Sequence, residues 1–325
     1  MRLRLVPKET NLDFFRFSRA TFGASIALVL ASLVLVVFIG LNFGIDFRGG
    51  TTIRTEAEVP VDVGAYRDAI APLGLGDVTI TDVRDTPFGE DPVIAMIVIQ
   101  AQEGDEAVAT DTVGAVEAAL KALEPTLDFT SVESVGPTVS GELIWTAILA
   151  IALAIGAVLV YIWLRFEWQF SLGAVAALAH DVIVTIGVFS LLQIRFDLSI
   201  IAALLTIVGY SLNDTVVVFD RVRENLRKYK KRGLSEVLNL SINETLSRTV
   251  MTSVTTLLAL ISLYVLGGDV IRGFVFAMIW GVIIGTYSSV FVASNVLLFL
   301  GVKRDWSAPG EGDGPSGTQF AKVNA

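Results

Sequence analysis

The chain has no cysteine and one histidine, His180. Disulfides and thiolate metal sites are therefore excluded, and a histidine-based metal centre would need ligands from elsewhere. Charge is scarce as well: 18% of the residues are charged against 53% hydrophobic, and the mean hydropathy is +0.67. A soluble domain of 325 residues does not have that balance, so an integral membrane protein is expected. Crossing a hydrocarbon layer of about 30 Å takes about 20 apolar residues in a helix. Six such runs are read at about 20–42, 143–164, 171–192, 198–219, 247–266 and 272–300.

Also missing is an Ala-x-Ala cleavage site after the first run. That run, Phe22 to Phe43, exceeds the roughly 7–15 residues of a secretory signal core, so an anchor is expected even though Arg2, Arg4, Lys8, Arg16 and Arg19 precede it. Basic residues mark the cytoplasmic side. They gather before the first run, between the fourth and fifth (Arg221, Arg223, Arg227, Lys228, Lys230, Lys231, Arg232) and after the sixth (Lys303, Arg304). The short opposite loops hold only Arg195 and Arg272. Both termini are thus expected in the cytoplasm, with 1–19 and a basic loop 221–246 on that side and 44–141 outside.

Residues 44–141 carry 18 acidic and five basic side chains, a net −13, while the whole chain is −9. So acidic an exposed segment excludes nucleic acid as a natural partner. Alternation predicts strands at Thr51–Glu56 and Asp77–Asp85, an apolar strand at Pro92–Ala101 and a last strand at Leu127–Val135; helical spacing predicts helices at Val61–Leu73 and Glu106–Leu123. Strand, helix, strand, strand, helix, strand is the ferredoxin-like order. The fold class expected is therefore an α-helical polytopic membrane protein with six transmembrane helices and one α+β ferredoxin-like domain between the first two. The tail 301–325, rich in Gly, Pro, Ser and acid, is expected to be disordered.

The ionisable residues inside apolar runs are the candidate functional groups, because a charge in hydrocarbon is costly and usually faces a protein interior or a water path. Asp214 lies in the fourth run, on a stripe with Thr206, Tyr210 and, at its flank, Asn213. The fifth run answers with Arg248, Thr252, Thr255, Ala259 and Ser262, also at helical spacing, and both stripes are expected to face other helices. Arg248 either approaches Asp214 or snorkels to the membrane surface. Asp181, beside His180 near the centre of the third run, is either a proton-exchanging group or a fixed hydrogen-bond acceptor. Ser235–Ser247 is amphipathic and is expected to lie along the inner surface. In the sixth run Gly281, Gly285 and Ser289 make a small-residue stripe for close helix packing. Where the first run leaves the membrane stands Gly44-Ile45-Asp46-Phe47-Arg48-Gly49-Gly50; a sharp change of direction is expected there, with Asp46 and Arg48 paired locally.

That glycine motif, together with Ser134-Val135-Gly136-Pro137, Ala179-His180-Asp181, the run from Tyr210 to Arg221 and Thr245-Leu246-Ser247-Arg248-Thr249, resembles the SecD/SecF family of bacterial protein-export membrane proteins, within the resistance-nodulation-division superfamily. The resemblance spans about residues 11–303. It implies a non-enzymatic subunit in the bacterial inner membrane, with 44–141 in the periplasm. It also implies partnership with SecD and the SecYEG channel, acting on exported unfolded polypeptides after the ATPase SecA. The proton motive force would drive the cycle, protons being the coupling ion with no cofactor or metal. The proton-coupling role of the family's Asn-Asp-Thr and Ser-Arg-Thr motifs carries over to Asp214 and Arg248, and fused relatives contain a SecD half that this chain lacks. A small-molecule or lipid exporter of the same superfamily is the main alternative. An intramembrane aspartyl protease using Asp181 and Asp214 is disfavoured because Tyr-Ser-Leu-Asn, not a Gly-x-Gly motif, precedes Asp214.

Overall fold

The computed structural model describes residues 10–57, 62–76, 78–83, 93–100, 110–268 and 270–302. The tail, the extreme N-terminus and the ends of several expected external strands and helices lie outside the described residues. Within them, six helices are long and apolar enough to cross a membrane. They include α1 (Ser18–Phe38). A single turn, α2 (Ile45–Arg48), then leads into the external domain: β1 (Gly50–Ala57), α3 (Val63–Ile70), β2 (Val78–Val83), β3 (Val93–Gln100), α4 (Thr110–Leu123) and β4 (Asp128–Val135). The bundle continues with α5 (Pro137–Arg165), α6 (Trp168–Leu192), α7 (Leu198–Lys228), α8 (Leu234–Leu266) and α9 (Arg272–Ser288). A π turn, Ser289–Ala293, joins α9 to α10 (Ser294–Leu300).

The sheet order is β2-β3-β1-β4 with every pairing antiparallel, which is the ferredoxin-like arrangement the strand order predicts. Alternation explains it. Ile53 and Ala57 of β1 and Ile97 and Ile99 of β3 point to one face, where Tyr66 and Ile70 of α3 and Val116 and Leu120 of α4 close the core. The opposite face meets the bundle: the Arg195 guanidinium, from the α6–α7 loop, reaches Thr52 Oγ1 at 3.4 Å and Met96 Sδ at 3.0 Å.

Two expectations about the cytoplasmic side need correction. Residues 221–246 are not a loop, because α7 runs on to Lys228 and α8 begins at Leu234, leaving only a short connection. Nor is Ser235–Ser247 a separate surface helix. It is the first part of the 33-residue α8, and its apolar side is buried: Val237, Leu238 and Ile242 join Val218, Val222 and Leu226 of α7 in one core. Its asparagines hold the N-terminal segment in place. Asn243 makes two 2.8 Å bonds with the backbone of Leu12, and Asn239 Oδ1 accepts from the Phe14 amide at 2.9 Å. The helical spacing was therefore legible, but its apolar side packs on α7, and the partners of its asparagines come from residues more than 200 positions away.

At the root of the external domain the Gly-Gly pair turns the chain: Gly49 has φ +76 and Gly50 φ +136, values that disfavour a side chain. Asp46 does not pair with Arg48. Its carboxylate accepts instead from the Leu198 amide at 2.9 Å, at the first residue of α7, where a helix leaves its N–H groups unsatisfied. The strand-like contact of Phe43 with Phe196, closed by Gly44 N–H to Phe196 O at 2.8 Å, fastens the same place.

Candidate functional site

Asp214 and Asp181 are both buried inside the bundle, and each is enclosed by hydroxyl donors. Asp214, on α7, accepts from Thr249 Oγ1 of α8 at 2.6 Å and from Ser289 Oγ of the π turn at 2.8 Å. Asp181, on α6, accepts on one oxygen from Ser211 Oγ of α7 and Ser288 Oγ of α9, both at 2.7 Å, and on the other faces His180 Nδ1 at 3.0 Å. Ionised carboxylates accept hydrogen bonds only, so each cage fits the charged form; Asp214 has no cation in contact, whereas Asp181 has the His180 ring beside it. The His180 ring lies against Tyr287, and its Nε2 is buried with no partner among the described residues. No third ligand joins His180 and Asp181, and no group of three or more metal-binding side chains occurs among the described residues.

Close helix packing brings these groups together. Gly281 meets Ile207 with no room for a Cβ between them, and a Cβ at Gly285 would lie 3.1 Å from Ser211. α9 thereby presses on α7 just where Ser211 and Asp214 face it. The π turn then matters, since its extra residue changes the phase of the helix. Ser288 and Ser289 are neighbours in sequence yet serve different carboxylates.

The remaining residues expected at the site are placed differently. Arg248 is exposed on α8 and makes no ion pair with Asp214. It lines an open cleft of about 460 Å³ with Asp220, Arg221, Glu224, Glu244 and Tyr161. Thr252 and Thr255 are exposed and bond to carbonyls of their own helix, at 2.9 Å (Thr252 to Thr249, Thr255 to Met251). Asn213 is exposed, and the Tyr210 hydroxyl lies 3.4 Å from Thr256 Oγ1. Asp214 faces inward, as spacing suggested, but the rest of the two polar stripes does not; Thr206, Asn213, Arg248, Thr252 and Thr255 lie on the open side of this single chain. Helical phase is the reason: Ala203, Ile207, Val218 and Val222 take the packed face of α7 and turn Thr206 and Asn213 outward. Sequence reasoning missed Thr249, Ser211 and Ser288 and read Ser289 only as a small packing residue. The available signals were that Thr249 adjoins Arg248 and that Ser211 stands one turn before Asp214.

Ionisable groups enclosed at the heart of a six-span bundle, under a single external ferredoxin-like domain, define a multi-pass membrane protein with a built polar centre. The sequence matches the family profile described as "Protein export membrane protein SecD/SecF, C-terminal" over residues 115–303 and that of the "SecD/SecF GG Motif" over 34–61. The chain belongs to the SecD/SecF family of protein-export membrane proteins.

Relatives named Protein translocase subunit SecF include one from Cereibacter sphaeroides, 60% identical over 324 residues that cover 100% of this chain and 99% of the relative. Another, from Rhodobacter capsulatus, is 61% identical over 310 residues, 94% of this chain and 93% of the relative. Among solved structures, SecDF from Thermus thermophilus, described as a translocon-associated membrane protein, superposes with a TM-score of 0.80 at 35% identity; the match covers 92% of this chain and 40% of that one. SecDF in a super-membrane-facing form superposes with a TM-score of 0.67 at 36% identity. The two SecF relatives are thus named as subunits of a protein translocase.

Proposed function

We propose that the chain is an accessory subunit of the Sec protein translocase in the bacterial inner membrane. In this reading it works beside a SecD-type partner and the SecYEG channel, using the proton motive force to promote late stages of preprotein export. Protons are the coupling ion, and no cofactor or metal takes part. Both termini are cytoplasmic and the ferredoxin-like domain is periplasmic, in keeping with the distribution of Lys and Arg.

The observation that carries this reading is the hydroxyl cage of Asp214. A carboxylate held by two short hydrogen bonds inside a membrane bundle can exist charged, and neutralising it on proton uptake changes which hydrogen bonds it makes. One charge crossing the full potential gains about 2.3 kcal/mol per 100 mV, enough to bias two conformers of similar energy. Arg248 and the outward polar stripes of α7 and α8 complete the centre only when another subunit covers them, and a partner lacking in this chain but present in the fused SecDF relative suits that face.

The test is export of a model preprotein into inverted membrane vesicles containing SecYEG, SecD and this chain. Asp214→Asn, assembled normally, is expected to remove the stimulation that an ionophore also removes. Stimulation that survives both treatments would overturn the reading and leave a scaffolding subunit.

A further inference from the structure

Ser288 and Ser289 are fully buried, and each has two acceptors. Ser288 Oγ lies 2.7 Å from Asp181 Oδ2 and 3.2 Å from the Gly285 carbonyl; Ser289 Oγ lies 2.8 Å from Asp214 Oδ2 and 3.1 Å from the Thr286 carbonyl. A hydroxyl has a single proton and gives it to one acceptor at a time. The other hydroxyl in each cage has no such choice. Thr249 Oγ1 donates only to Asp214 and Ser211 Oγ only to Asp181. Each carboxylate therefore has one committed donor and one with an alternative, and the two with an alternative are adjacent at the junction of α9 and the π turn.

That difference matters when a carboxylate takes a proton. It ceases to be an acceptor alone and gains an O–H that must itself be accepted in a dry interior. We propose that Ser289, and Ser288 for Asp181, are the positioning residues for proton uptake: reversible hydroxyls that accept the new carboxylic O–H and turn their own proton to the helix carbonyl behind. On Asp214 the incoming proton resides on Oδ2, the contact Ser289 Oγ–H to Oδ2 becomes Oδ2–H to Ser289 Oγ, and the serine proton points to Thr286 O. No bond between heavy atoms changes, and no proton leaves the serine.

The proposal rests on the reading that Asp214 exchanges protons. The groups facing it are Thr249 from α8, Ser289 from the π turn and, without contact, the charge of Arg248. Asp181 is faced by His180 on its own helix, Ser211 from α7 and Ser288 from α9.

The test is difference infrared spectroscopy of the full chain in liposomes across pH, with the carboxylic C=O bands assigned by Asp214→Asn and Asp181→Asn. Ser289→Ala is expected to shift the Asp214 band and to move its titration midpoint by about one pH unit, the order of one hydrogen bond to a charged group. Ser289→Thr, which keeps the hydroxyl, is expected to stay near the original. Ser288→Ala should act on the Asp181 band alone. Ser253→Ala removes a buried hydroxyl that bonds Thr286 Oγ1 at 2.7 Å and touches neither carboxylate, so it is expected to leave both bands in place. An unchanged Asp214 band in Ser289→Ala, or an equal shift in Ser253→Ala, would overturn the proposal, as would an Asp214 that never protonates. Should Ser289→Ala fail to fold, Ser289→Cys, with a weaker donor of similar size, is expected to give a smaller shift of the same band. Because the readout involves no export, proton-independent export with these shifts intact would overturn only the functional reading.

Discussion

Gly281 of α9 and Ile207 of α7 touch so closely that a methyl group cannot be placed between them. This contact sets the depth at which Ser288 and Ser289 meet the two carboxylates. Gly281→Val is expected to destabilise the bundle by about 1–3 kcal/mol through overpacking. Thermal unfolding in detergent measures it, and adding Ile207→Ala should recover part of the loss; an undiminished midpoint in Gly281→Val would mean that the helices are free to separate there.

Thr249 is the committed donor to Asp214. Thr249→Val preserves shape and deletes the hydroxyl, which removes a hydrogen bond to a charged group worth about 1.5–3 kcal/mol. Proton-dependent export stimulation is expected to fall about tenfold or more in Thr249→Val and to persist in Thr249→Ser. Equal activity of the two variants would assign the position to packing.

The absence of cysteine makes any introduced thiol unique. Asn213→Cys and Thr252→Cys, on the outward stripes of α7 and α8, are expected to react with a maleimide in the isolated chain and to be protected when a SecD partner is bound. Ile148→Cys, on the exposed side of α5, provides the comparison. Protection that does not depend on the partner would place the interface elsewhere.

Tyr66, the sole tyrosine of residues 44–141, is buried between helix and sheet. Burial, reinforced by the negative charge of Glu124, pushes its phenol up to about 12 from 10.0. Because the folded pKa lies above the unfolded one, the contribution to stability is fully present below pH 10 and is lost as pH rises towards about 12. Denaturant unfolding of the external domain across that window should show the decline, and Tyr66→Phe should remove this component. A Tyr66 that ionises at its ordinary value by ring NMR would contradict the assignment.

The external fold was legible because its signal is local: Ile53, Ala57, Ile97 and Ile99 alternate, and Val116 and Leu120 keep helical spacing. Asp214 and Asp181 were legible as charges where charges are costly. Their hydroxyl partners were not, because serines and threonines are common in such helices and only packing decides which one meets a carboxylate. The π turn added a shift of phase that a constant helical period does not contain. The outward direction of Asn213 and Thr252 was misread for a related reason: spacing groups residues on one face, and only the opposing side chains decide where that face points.

The Asp46 cap gives α7 a mechanical meaning. From Leu198 to Asp214 the helix spans about 24 Å, and its N-terminal end is tied to the root of the ferredoxin-like domain. A tilt of about 10° about the caged carboxylate would carry that root through about 4 Å, comparable to the length one residue occupies in an extended chain. Through that tie, any such angular change of α7 about the carboxylate would be felt at the ferredoxin-like domain as a residue-sized displacement.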